Sequence, residues 1–128
     1  PFFLSQAAAP HLRESANGNI INLIDIYAEK ALPDYPIYCA AKAGLASMTR
    51  SLALALAPKI RVNGIAPGAI LWAEPEPDEE YKRSSLAKIP LGRLGGTEPI
   101  AEAAVYLLER ANYVTGQILT VDGGRSIG

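Results

Sequence analysis

Residues 19–66, NIINLIDIYAEKALPDYPIYCAAKAGLASMTRSLALALAPKIRVNGIA, decide the fold. NIINLI (19–24) is a short, mostly apolar run and reads as a strand. Pro33 and Pro36 bracket a loop. The Ala/Leu-rich stretch that follows reads as a long helix over about 36–57, ended by Pro58. IRVNGIA (60–66) then reads as a second strand. Strand, helix, strand, with both strands apolar along their length, is the alternation of a parallel sheet whose two faces are covered by helices.

Working outward, residues 1–16 read as a helix, with Phe3, Leu4, Ala7, Ala8 and Leu12 near helical spacing, stopped by Asn17-Gly18. Downstream, GAILWAEPEPDEE (68–80) is an acidic, proline-rich loop that leads into a short helix near 78–88. After GRLGG (92–96) comes an amphipathic helix over 97–110, and QILTVDGG (117–124) is a third strand ending in a turn. The expected fold class is α/β with about three strands. A doubly wound sheet usually has about twice as many, so a sheet this narrow leaves an unpaired edge on its N-terminal side. The alternative is a small three-stranded α/β domain, complete as it stands.

The composition, 49% apolar and 20% charged over 128 residues, suits one globular core. A formal net charge of -1 carries no basic footprint for nucleic acid. No apolar run reaches the length of a membrane span, and the first residues lack a signal-peptide pattern. The single Cys39 cannot form an internal disulfide, so a reducing cytoplasm is the expected location.

The chemistry concentrates at Asp25, Tyr38 and Lys42. Tyr38 and Lys42 stand at i and i+4 and share one helix face. A neighbouring ammonium favours the phenolate, so the pair is expected to bring the tyrosine closer to neutral pH and make it a practical acid. Asp25 ends the first strand at the carboxyl edge, where ligands bind in open α/β sheets, and the helix beginning near Pro36 can return Tyr38 to that edge. A tyrosine with lysine four residues on arises by chance about once in five chains of this composition, so the pair alone is weak.

Its context is what strengthens it. Y-x-x-x-K followed by RVNGIAPGAI (61–70), GRLGGTEPIAEAAVYLL (92–108) and VTGQILTVDGG (114–124) resembles the short-chain dehydrogenase/reductase family over essentially the whole chain. The resemblance implies a Rossmann-like doubly wound parallel sheet of which residues 1–128 are the C-terminal half only. It implies Tyr38 as catalytic acid, and Lys42 holding the nicotinamide ribose hydroxyls while lowering the tyrosine pKa. Pro67, Gly68, Ala69 and Ile70 would bracket the nicotinamide ring, and residues 69–88 would cover the substrate.

Two departures refine this. Most members place a serine twelve or thirteen residues before the tyrosine, to donate to a substrate carbonyl. Here that position is Asp25, and no serine lies between Ser15 and Ser47. An ionised carboxylate cannot donate that bond and repels a developing alkoxide, but it accepts from ring N–H or amino groups. The Asp-Tyr-Lys set, together with PFFLSQAAAPHL (1–12) and APGAILWAE (66–74), resembles the pteridine reductase branch. That branch implies NADPH as cofactor and a dihydropteridine as substrate, dihydrobiopterin, dihydromonapterin and dihydrofolate being the candidates, while the family implies a homo-oligomer, dimer or tetramer, built on the helices at 1–16 and 36–57. The second departure is that the family's glycine-rich turn, its NADP-selecting residue and its N-N-A/S region belong upstream of Pro1. The cofactor-binding half is therefore expected to be absent from these 128 residues, and the isolated chain to be inactive. Competing readings are a general carbonyl reductase, such as a 3-oxoacyl-carrier-protein reductase, and a truncated module that only assembles with other subunits.

Other residues read more simply. Asp25 also suits a cap on the loop after its strand. Trp72 suits either a bound ring or an anchor for the covering loop. Glu74, Glu76, Asp78, Glu79 and Glu80 read as solvated surface and a helix N-terminus. His11 reads as surface and Cys39 as packing. Asn63 is expected to support turns between its strand and the cofactor loop, and Asp122-Gly123-Gly124 to form a tight turn needing glycine conformations.

Overall fold

The computed structural model describes residues 1–128. In chain order it forms α1 (Phe2–Glu14), β1 (Gly18–Leu23), α2 (Pro36–Leu56), β2 (Ile60–Pro67), α3 (Glu79–Leu86), α4 (Glu98–Val105) and β3 (Ile118–Val121). A single-turn 3₁₀ helix, Ile26–Ala28, follows β1, and a π turn, Tyr106–Arg110, continues α4. The three strands form one parallel sheet in the order β1-β2-β3. The outer edge of β1 is unpaired, as expected for so narrow a sheet. No helix is long and apolar enough to cross a membrane.

The alternation of β2 explains how helices cover both faces. Ile60 and Val62 point to one face and pack with Ala9 of α1 and Ala53 of α2. Ala66 continues that face and meets Ala46 of α2 and Ile24. Ile65 points to the other face and packs with Ala103, Leu107 and Ala111. Successive strand residues alternate between faces, so one uninterrupted apolar strand serves both layers.

The odd-numbered face of β2 also carries two polar side chains, and they shape the C-terminal third. The Arg61 guanidinium donates to the carbonyls of Leu107, Ala111 and Leu108 at 2.9, 2.7 and 3.2 Å, and to the Asn17 side chain at 3.2 Å. One cation thus collects the orphan carbonyls of the wide turn that ends α4. The expected single helix over 97–110 departs from regularity for this reason. Apolar spacing does not distinguish a 3.6-residue turn from a π turn whose carbonyls converge on a guanidinium.

Asn63 is likewise not a support for the cofactor loop. Fully buried, it donates to Val114 O at 2.9 Å and accepts from Gln117 N–H at 3.0 Å, clamping the segment that enters β3. Replacing Arg61 with Met leaves its carbonyl acceptors unmatched. The expected loss is about 3 kcal/mol, read as a lowered urea midpoint at unchanged m-value.

α2 is registered against the sheet by a buried polar pair. Asn22 Nδ2 donates to Thr49 Oγ1 at 2.9 Å, and Thr49 Oγ1 donates back to Leu45 O at 2.8 Å. An unpaired buried amide is expensive, so this contact fixes both rotation and height of α2 over β1. It thereby fixes where Tyr38 and Lys42 emerge.

Candidate active site

Asp25, Tyr38 and Lys42 meet at the carboxyl end of β1. The Asp25 carboxylate is divided between two tasks. Its Oδ1 accepts from Tyr27 N–H at 2.9 Å, capping the 3₁₀ turn, and its Oδ2 accepts from the Tyr38 hydroxyl at 2.6 Å. The capping and functional readings of Asp25 are thus compatible. Each uses a different oxygen, and the cap locks the carboxylate that faces the phenol.

The expected electrostatics of the tyrosine are overturned. Burial, the hydrogen bond to Asp25 and the Asp25 charge together push Tyr38 up from 10.0 to about 12. Lys42 does not offset them. Its Nζ lies over the ring face, 5.7 Å from the centroid, and donates to Leu23 O at 3.1 Å. Helical spacing placed the ammonium on the correct face but did not show that a carboxylate would reach the hydroxyl first. Deprotonating the phenol breaks its bond to Asp25. The stabilising contribution of this pair is therefore present below the ordinary tyrosine pKa and lost as pH rises through about 12. Tyr38 is 40% exposed, so solvent screens that contribution heavily.

Pro67, Gly68, Ala69 and Ile70 leave the carboxyl end of β2 beside the start of the C-terminal turn. Gly68 N–H donates to Val121 O at 3.0 Å, and a Cβ on Gly68 would lie 2.6 Å from Asp122 Cβ, so only glycine lets the two chain segments meet. The carbonyls of Ala69 and Ile70 accept from Gly95 and Gly96, whereas their own N–H groups have no protein partner. The glycine turn follows expectation. Gly123 and Gly124 have φ of +63° and +89°, and Asp122 accepts from Gly124 and Ser126 N–H at 2.9 and 2.7 Å. Burial alone would raise the Asp122 carboxyl, but these donors hold it below its ordinary value.

A cleft of about 390 Å³ opens beside Asp25, between the 26–35 segment and the loop running from Gly68 to α3. Tyr27, Tyr35, Trp72 and Tyr81 supply aromatic walls, and Asp25 and Arg125 are its only charged lining residues. A larger hollow of about 600 Å³ shares Asp25 but runs back to Gly116 and Gln117, before the amino end of β3. Ligands of open α/β sheets bind at the carboxyl ends of the strands, and that criterion assigns the smaller cleft. The acidic run lies on its rim. Asp78 caps α3 by accepting from Tyr81 N–H at 2.8 Å, and Glu76 and Glu79 hold Lys82 at 2.9 and 2.8 Å.

Sequence reasoning had not singled out Tyr27, Tyr35, Tyr81 or Arg125 as lining residues. Tyr27 lies in the 3₁₀ turn after β1, Tyr35 in the loop bracketed by Pro33 and Pro36, and Tyr81 in the first turn of α3, so their common signal is aromatic content in the segments that leave the carboxyl ends of β1 and β2. Arg125 follows a glycine turn and carries no periodic signal at all.

The chain belongs to the short-chain dehydrogenase/reductase family of oxidoreductases, whose members typically bind NAD(P)H. A family model described as enoyl-(acyl carrier protein) reductase matches residues 1–126. Dihydromonapterin reductase of Enterobacter sp. (strain 638) is 40% identical over 129 residues, covering 99% of this chain and 53% of that protein. The 3-oxoacyl-acyl-carrier-protein reductase of Thermotoga maritima is 36% identical over 126 residues, covering 96% of this chain and 51% of that protein. Among solved structures, the apo form of an SCOR enzyme from Clostridium thermocellum superimposes with a TM-score of 0.87 at 33% identity, covering 100% of this chain and 49% of that one. The chain spans about half the length of the curated relatives it matches.

Proposed function

We propose that residues 1–128 are the catalytic half of one Rossmann-like domain, and that the intact protein reduces dihydropteridines to tetrahydropteridines with NADPH. The carrying observation is the 2.6 Å contact between Tyr38 and a carboxylate, Asp25, where a carbonyl reductase needs a hydrogen-bond donor. Similarity to a dihydromonapterin reductase supports the same reading.

The residues at the nicotinamide end suit that cofactor. The free N–H groups of Ala69 and Ile70 can donate to the carboxamide, and Lys42 Nζ keeps two of its three donors for the ribose hydroxyls after serving Leu23 O. When bound, the cofactor supplies hydride to a ring carbon. Balance then requires one proton at the adjacent ring nitrogen, and Tyr38 is the group placed to give it. In this structure the Tyr38 proton is held by Asp25. A pterin N–H or amino group entering the site satisfies the Asp25 oxygen, releases the phenol and partly neutralises the charge that keeps its pKa high. Asp25 thus acts as acceptor for the substrate and, through water, as a relay to solvent.

Exposed apolar side chains on the outer faces of α1 and α2, such as Phe3, Leu4 and Leu54, support assembly of the intact protein as a homo-oligomer, dimer or tetramer. The deciding experiment measures kcat/KM of the intact protein with NADPH on dihydrobiopterin, dihydromonapterin and a 3-oxoacyl thioester. Preference for a pterin is expected. Preference for the thioester would sink the proposal in favour of carbonyl reduction.

A further inference from the structure

The cleft carries a charge that the reduction chemistry leaves unused. Arg125 lies just past the glycine turn, and its backbone is fixed from two sides: its N–H donates to Asp122 O at 3.2 Å, and its carbonyl accepts from Lys30 Nζ at 2.9 Å. Its guanidinium is tethered by one nitrogen only. Nη1 donates to the hydroxyl and the carbonyl of buried Ser85, at 3.1 and 3.4 Å. Nη2 and Nε have no protein partner, and no carboxylate pairs with the group. A half-buried guanidinium anchored through one arm, with the rest of its planar fork open in an aromatic-walled cleft, is preorganised for a bidentate acceptor.

We propose that Arg125 is a specificity-determining residue that receives a carboxylate on the substrate's substituent, so that the cleft prefers anionic substrates to neutral ones of the same shape. Asp25 then takes donors on the reacting ring, while Arg125 takes an acceptor beyond it. The inference rests on the proposed function only for the choice of cleft. Among the candidate pterins it selects those with an acidic tail, of the folate kind, and names the residue that makes the choice.

Trp72 is the only tryptophan of the chain and lines the same cleft, so its fluorescence reports binding without turnover. The intact protein, its Arg125→Met variant and its Arg125→Lys variant, each referenced to the same protein carrying Trp72→Phe, are titrated with folate and with folate dimethyl ester. The wild type is expected to bind the dianion at least about tenfold more tightly than the ester. Arg125→Met should lose that preference while keeping its affinity for the ester, and Arg125→Lys should keep part of it. The same titrations use 4-acetylbenzoate and its methyl ester, a ketone pair carrying the same charge difference. If neither pterin binds but the ketone pair shows the Arg125-dependent preference, the pteridine reading fails and the role of Arg125 stands. Equal affinity for acid and ester in both pairs, absence of binding by both pairs, or an undiminished preference in Arg125→Met overturns it.

Discussion

Tyr38→Phe lowers kcat of the intact enzyme by about 10²–10⁴-fold while leaving cofactor affinity within a fewfold of wild type. That range is what a positioned general acid contributes, and phenylalanine removes the proton while keeping the ring beneath Lys42 Nζ. The measurement is steady-state and single-turnover NADPH oxidation, with cofactor binding followed separately by fluorescence. A variant within tenfold of wild type would show that another group delivers the proton. Phenylalanine also leaves Asp25 Oδ2 without its phenol donor, at a site open to water. The loss should therefore fall on turnover rather than on folding, and an unchanged thermal midpoint is part of the expected result.

Asp25→Asn produces the second large effect, on the acidity of Tyr38 itself. Of the three leading causes that hold the phenol at about 12, two come from Asp25: the hydrogen bond and the charge. Asparagine deletes the charge and weakens the acceptor, leaving burial as the leading cause. The midpoint of Tyr38 ionisation is expected to fall from about 12 towards the ordinary tyrosine value. A stopped-flow pH jump, read as tyrosinate absorbance before alkaline unfolding and referenced to Tyr38→Phe, isolates this one of six tyrosines. In the intact enzyme the alkaline limb of kcat/KM should move to lower pH by the same amount, since it reports the free enzyme's acid. Pterin turnover should fall far more than NADPH affinity. A midpoint that stays near 12 would assign the shift to burial and remove Asp25 from the proton economy of the site.

The layers of the fold were legible because they follow from periodicity and punctuation. Continuous apolar runs at 19–24 and 60–66 separated by a long Ala/Leu helix leave little besides a parallel pair with a helical crossover. The acidic stretch closed by Asp78 likewise ends in a capped helix. What escaped was set by groups distant in sequence. The π turn at 106–110 depends on Arg61, some 46 residues earlier. Asn63 reads from its neighbours as a turn former, yet its partners lie 51 and 54 positions on. In the site, the spacing of Tyr38 and Lys42 identified the shared helix face. It could not rank the ammonium against a carboxylate 13 positions away, because that ranking turns on distance. Arg125 enters the cleft only once β3 has carried it there, and nothing local marks it.

The walls of that cleft come from three separate stretches, 25–35, 68–85 and Arg125, with Lys30 Nζ bridging the first to the last. None of these stretches contains the others' supports, so the cavity exists only when all three strands are in register. Any compound seated there binds the folded chain and not the unfolded one, and at a hundredfold excess over its Kd it shifts the folding equilibrium by about 2.7 kcal/mol. Occupancy and global integrity are thus one thermodynamic quantity in this protein. An inhibitor designed for the cleft would act as a folding ligand as well as a competitor of the substrate.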